Sequence, residues 1–270
     1  MGLILCEKNE VTTPFYISDL GVNIYSLEEL CYIIHEYPLL VLDGFVTDTL
    51  VEFLVKELKL GMYFRQMEKN TSRKLSDEEI LVGLLEYSDL YSRKDVAAYR
   101  ERIQEIRNMT EGDYFREKGD FMFNIGRYGQ ALRYYGRAEK AIREKTNQKR
   151  SLARIYTCMG HAQANLLQTE DAFGEYVKAY ETYKEESTLK FIYFLSRIEK
   201  RQEKKDRYLA YLGERVNQKW DVQYEAALNH YRESAEYGQL NIIFDKDSVR
   251  RKQMTADLLS DWKQKYRSMV

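Results

Sequence analysis

Residues Tyr114–Ile142 read YFREKGDFMFNIGRYGQALRYYGRAEKAI, and residues Arg154–Tyr183 read RIYTCMGHAQANLLQTEDAFGEYVKAYETY. With Gly119 laid on Gly160, Ala131 falls on Ala172, Tyr135 on Tyr176 and Ala138 on Ala179, at an offset of 41 residues throughout and without a gap. Self-similarity at a fixed spacing of this size is the signature of a repeat architecture. Glycine and alanine are needed where paired helices approach closely, because a larger side chain would wedge them apart. Aromatics fill the space that remains between them.

Outward from this pair of segments the chain keeps reading as helix. Only two prolines occur, Pro14 and Pro38, so residues 39–270 contain none. Proline breaks helices and is common in loops, so its absence suits helices joined by short turns. Helix starts recur as Ser, Thr or Asp with an acid three residues on: Ser26/Glu29, Thr49/Glu52, Ser76/Glu79, Ser92/Asp95 and Thr110/Asp113. Tyr25 and Leu30 fit a hydrophobic staple around the first of these. The helix from Thr47–Thr49 is expected to stop at Gly61. A long helix is expected over Asp206–Tyr237, stopped by Gly238, with Asn241–Phe244 as a short apolar break. Asp245–Ser248 can cap a last helix reaching about Ser268. Eleven or twelve helices are expected, and no convincing strand pair appears.

The two segments resemble the tetratricopeptide repeat, a helix–turn–helix unit of 34 residues. Around its glycine the first copy supplies Phe115, Gly119, Ala131, Tyr135 and Ala138, and departs at Lys118, where leucine is usual. The second supplies Tyr156, Met159, Gly160, Ala172, Tyr176 and Ala179. Both lack the family's closing proline, with Arg143 and Lys184 in its place. The helix pairs Ser76–Asn108 and Thr188–Val216 fit degenerate flanking repeats, which such an array needs because a repeat cannot bury its face alone. The expected fold is therefore all-α, a right-handed α-solenoid of tetratricopeptide-like helix pairs with an acidic N-terminal helical module. The expected division is an N-terminal module over residues 1–62, a soft boundary over 63–75, the array over 76–238 and a capping helix over 239–270.

The resemblance implies a protein- or peptide-binding scaffold without catalysis, its ligand held in a concave groove lined by the first helix of each repeat. On the first copy Asp113, Arg116, Asp120, Phe123 and Asn124 would face that groove. On the second, Arg154, Thr157, His161, Ala164 and Asn165 would do so. Asn124 and Asn165 occupy the same position; an amide both donates and accepts, so it can pair with an extended peptide backbone, or it can simply help end the helix. Co-chaperone members of the family hold C-terminal carboxylates with one Lys and two Asn. The matching positions here are Arg116, Asp120 and Cys158, so that ligand is not expected.

Charge narrows the partners. Lys and Arg number 42, Asp and Glu 43, a net charge of -1. The first 60 residues hold three basic and ten acidic side chains, a balance of -7, against +6 for the remainder. Peptide-responsive transcription regulators also pair an N-terminal helix-turn-helix with such an array, and Leu50–Leu58 would have to be the recognition helix. The acidity of this segment counts against it, because DNA affinity rests on neutralising phosphates. Nucleic acid is thus not an expected partner. No apolar run approaches a membrane span. The N-terminal MGLILCEKNEV has too short an apolar stretch for a signal peptide and lacks the Ser or Thr of a myristoylation start, so a cytoplasmic location is expected. Cys6, Cys31 and Cys158 and the histidines His35, His161 and His230 are too scattered for a disulfide framework or a metal site, and no cofactor motif or nucleophile elbow occurs.

Overall fold

A computed structural model of the chain describes residues 11–42, 44–71, 73–143 and 148–270. Cys6 and the motifs considered at the N-terminus lie outside the described residues. The chain is helical almost throughout, many of its helices packing on a sequence neighbour, and it divides into two compact units between Thr110 and Glu111. The stretch 63–75, read from sequence as a soft boundary, lies inside the first unit, as do the helices over 77–107.

The first unit carries a short hairpin where no convincing strand pair was expected, within an otherwise all-α chain. Strands β1 (Phe15–Ile17) and β2 (Val22–Ile24) pair antiparallel, Phe15 opposite Ile24 and Ile17 opposite Val22. Gly21, at φ +65, closes the turn, its N–H donating to the Ile17 carbonyl at 2.7 Å. Three-residue strands are too short to show the period of two by which strands are recognised. Helix α1 (Leu27–Glu36) starts where expected: the Glu29 N–H donates to Ser26 Oγ, and the Glu29 carboxylate accepts from the Tyr25 N–H rather than from that of Ser26. After α2 (Pro38–Val41), Thr47 caps α3 (Asp48–Glu52), which widens into a π turn over Phe53–Glu57. Lys59 takes the left-handed conformation that ends it, at φ +58, and Gly61 instead begins α4 (Gly61–Thr71). Helices α5 (Asp77–Tyr87) and α6 (Arg93–Arg107) each begin at a complete capping box, Ser76/Glu79 and Ser92/Asp95. Leu30, Ile34, Leu50, Leu54, Leu81, Leu84 and Leu85 form the fully buried core of this unit.

The second unit contains the two similar segments as consecutive helix pairs, α7 (Glu111–Asn124) with α8 (Tyr128–Arg143), and α9 (Lys149–Asn165) with α10 (Thr169–Thr182). The equivalence read from sequence extends to the backbone. A side chain on Gly119 would collide with the ring of Tyr135, and one on Gly160 with the ring of Tyr176. Ala131, Tyr135 and Ala138 are buried, and so are Ala172, Tyr176 and Ala179. In the first pair the Arg127 N–H donates to the Met122 carbonyl at 2.8 Å. In the second, the Gln168 N–H donates to that of Gln163 at 2.9 Å. The turn residue between helices is left-handed in both, Gly126 at φ +79 and Leu167 at φ +61. Lys118, just before Gly119, is buried with its ammonium over the rings of Tyr114 and Tyr134, at 4.9 and 5.6 Å, a contact that partly replaces its lost hydration.

Helices α11 (Glu186–Ile198) and α12 (Gln202–Leu212) continue the stack, and their Leu189, Ile192, Tyr193, Tyr208 and Leu212 share a core with Ala172 and Tyr176. The long helix expected over Asp206–Tyr237 is broken. Gly213 turns the chain at φ +55, and the Asn217 side chain caps α13 (Gln218–Arg232), whose Trp220 lies against Tyr193. Gly238 and Asn241–Phe244 lie inside α14 (Ala235–Phe244). The last helix, α15 (Ser248–Met269), is capped by Asp247 as anticipated and packs on α14 and α8. Among the described residues, no helix is long and apolar enough to cross a membrane.

Candidate functional site

Helices α7 and α9 pack side by side within the second unit. The C-terminal half of α7, together with α9, frames a cavity of about 300 Å³ lined by Asp120, Phe123, Asn124, Tyr135, Cys158 and His161. Four of the ten groove residues expected from sequence, Asp120, Phe123, Asn124 and His161, therefore come together. Asp113, Arg116, Arg154, Thr157, Ala164 and Asn165 do not line it.

The polar edge is organised by Asp120. Its two oxygens accept from Arg116 Nη1 at 2.6 Å and from the Tyr135 hydroxyl at 2.8 Å. Arg116 also donates to Glu117 at 3.1 Å, and its Nε lies 3.9 Å from Asp113, so this guanidinium is engaged by its own helix. Thr157 donates its hydroxyl to the Ala153 carbonyl at 3.0 Å and is likewise helix-internal. Arg154 is exposed. The two asparagines part company. Asn165 donates its amide to the His161 carbonyl at 2.9 Å and helps end α9, whereas the exposed Asn124 amide makes no hydrogen bond among the described residues.

The apolar wall is aromatic. Phe123 packs on Tyr128 at 5.1 Å and approaches His161 at 6.5 Å. His161 stands edge-on to Phe191 of α11 at 4.4 Å and contacts Tyr176 at 5.6 Å. Burial lowers the His161 pKa, which keeps the ring neutral near neutral pH. Burial also pushes the Cys158 thiol up to about 11, with the Asp120 carboxylate adding to the rise, so the sulfur stays protonated and unreactive. The Tyr135 hydroxyl is raised for the same two reasons, the Cys158 sulfur contributing as well. The cleft thus offers the Asp120 carboxylate and neutral donors and acceptors beside an aromatic face.

Tyr135 and Cys158 were not read as site residues. Tyr135 was assigned to packing by its repeat position, and its ring does fill the space over Gly119; its hydroxyl reaches the cleft because Asp120 follows that glycine. Phe191 was missed because α11 carries no clear repeat signature. A larger cavity, about 490 Å³, lies in the first unit between residues 13–16 and the α3–π segment, lined by Pro14, Phe15, Phe53, Lys56 and Glu57 among others. It has no counterpart in the sequence reading. The segment Leu50–Leu58 is the short α3 plus the π turn, and its Leu50, Phe53, Leu54 and Leu58 are buried. No group of three or more His, Cys, Asp or Glu is placed to hold a metal among the described residues. Cys31, also free, is buried, its thiol pushed up to about 12. No protein-family model, no curated protein and no solved structure matches this chain.

Proposed function

We propose that the second unit is a tetratricopeptide-like array and that it works as a non-catalytic scaffold, holding an extended peptide segment of another protein along the face formed by α7, α9 and α11. The observation that carries this reading is the cleft between equivalent first helices, with the exposed Asn124 amide, unbonded among the described residues, and an aromatic wall of Phe123, His161 and Phe191. An extended peptide needs backbone partners that both donate and accept, and its side chains need apolar sockets; both are present. The shared spacing of Gly119–Tyr135 and Gly160–Tyr176, and of the turns at Gly126 and Leu167, supports the family reading.

The test is selection of peptides from a random displayed library on the immobilised chain, followed by calorimetric titration of an enriched peptide. Phe123→Ala should weaken its binding at least tenfold. Asn124→Ala should weaken it about two- to tenfold, the range expected for one hydrogen bond. Asn165→Ala should leave it unchanged, because that amide is already spent on α9. Failure to enrich any peptide, or equal affinity in Phe123→Ala, would overturn the reading.

A further inference from the structure

Helix α15 is 22 residues long, about 33 Å at the usual rise, and not one of its residues is buried. It is secured firmly at one end. Asp247 accepts from the Val249 and Arg250 N–H groups, and Arg251 donates to the carbonyls of Phe244 and Lys246 at 2.8 and 2.9 Å. At its other end Val270 rests on Gly129, in the first turn of α8, so closely that a Cβ on Gly129 would overlap the Val270 backbone. Between these ends Met254 and Leu258 are half-covered, while Leu259, Trp262 and Tyr266 are 44%, 47% and 40% exposed. A segment with so few buried apolar contacts opens at a far smaller free-energy cost than the packed helices beside it.

From this we infer that α15 is a releasable strap, hinged at Asp245–Asp247 and latched by the seating of Val270 on Gly129. The latch depends on the absence of a single carbon atom. It sits one residue from Tyr128, whose ring packs on Phe123, so opening the strap removes a neighbour of the wall of the cleft. The strap itself stands whether or not a peptide binds there.

The experiment is amide hydrogen exchange of the full chain followed by mass spectrometry. Gly129→Ala should speed exchange over residues 250–269 at least tenfold and leave residues 153–182 at the wild-type rate. Gly136→Ala, on the same helix and with nothing within 4 Å of the added carbon, should leave 250–269 as in the wild type. A chain ending at Ser268, which removes the contact from the other side, should behave as Gly129→Ala does. It decides the matter alone if Gly129→Ala also strips protection from 153–182. Unchanged protection of 250–269 in that shortened chain would overturn the strap, as would an equal effect of Gly136→Ala, or a wild-type α15 already exchanging at the unprotected rate.

Discussion

At the scale of single residues, the repeat is a matter of where a methyl group cannot go. In a helix, alanine is favoured over glycine by about 1 kcal/mol, so Gly119 and Gly160 weaken their helices unless something else requires them. What requires them is the ring of Tyr135 in one case and of Tyr176 in the other. Overpacking costs about 1–3 kcal/mol, which outweighs the gain in propensity. Gly119→Ala and Gly160→Ala should therefore each lower stability, by up to about 2 kcal/mol, read as a shift of the urea midpoint at constant slope. Gly136→Ala, with open space around the new carbon, should instead raise it by about 0.5–1 kcal/mol. Equal shifts at the three positions would show that the rings do not fix the glycines. These glycines were legible in the sequence because each Gly–Tyr spacing lies within one helix pair and recurs intact. Of the cleft, Asp120, Phe123, Asn124 and His161 were reached through the family resemblance, which implies that their repeat positions face a groove. The engagement of Arg116 by Asp113, Glu117 and Asp120 was not, since which of several charges a long side chain reaches depends on rotamers rather than on spacing.

At the scale of elements, caps were the most readable feature. Ser26, Ser76 and Ser92 begin helices as their downstream acids suggested, because a capping box is wholly local. The box on α5 also predicts a pH response. Glu79 accepts from the Ser76 N–H at 2.8 Å and pairs with Arg73. The Ser76 backbone bond, followed by Arg73, holds its carboxyl down at about 2. A depressed carboxyl stabilises the fold in full above its ordinary value of about 4.3, and that contribution disappears as pH falls through the folded value. The stability difference between wild type and Glu79→Gln should thus be constant at neutral pH and close as pH falls from about 4.3 to about 2. Ser76→Ala should cost about 1 kcal/mol at neutral pH. A difference that does not change over the acid range would reject the assignment. What was misread at this scale lacked a strong local signal. The break at Gly213–Asn217 rests on one left-handed glycine and one Asn cap inside a stretch that otherwise keeps helical periodicity, and the β1–β2 hairpin is held by contacts its own six strand residues barely announce.

At the scale of the whole molecule, the chain is two compact units that meet in sequence at Thr110–Glu111. Sequence reading looked for a boundary where periodicity lapses and charge changes sign, near 63–75. Unit boundaries follow long-range contacts instead: the Tyr63 hydroxyl of α4 donates to the Gly83 carbonyl of α5 at 2.9 Å, which ties this stretch to the helices that follow it. Residues 111–270 produced alone should accordingly fold, with the helical circular dichroism and a cooperative thermal transition of the second unit in the full chain. A chain of 111–270 without cooperative melting would show that the units are not independent. Both tryptophans of the protein, Trp220 and Trp262, belong to the second unit. One is partly buried against Tyr193, and the other stands half in water on α15. Indole emission of the intact protein is consequently blind to the first unit, and it carries two colours from the second: a bluer one from the packed end of the stack and a redder one from the strap.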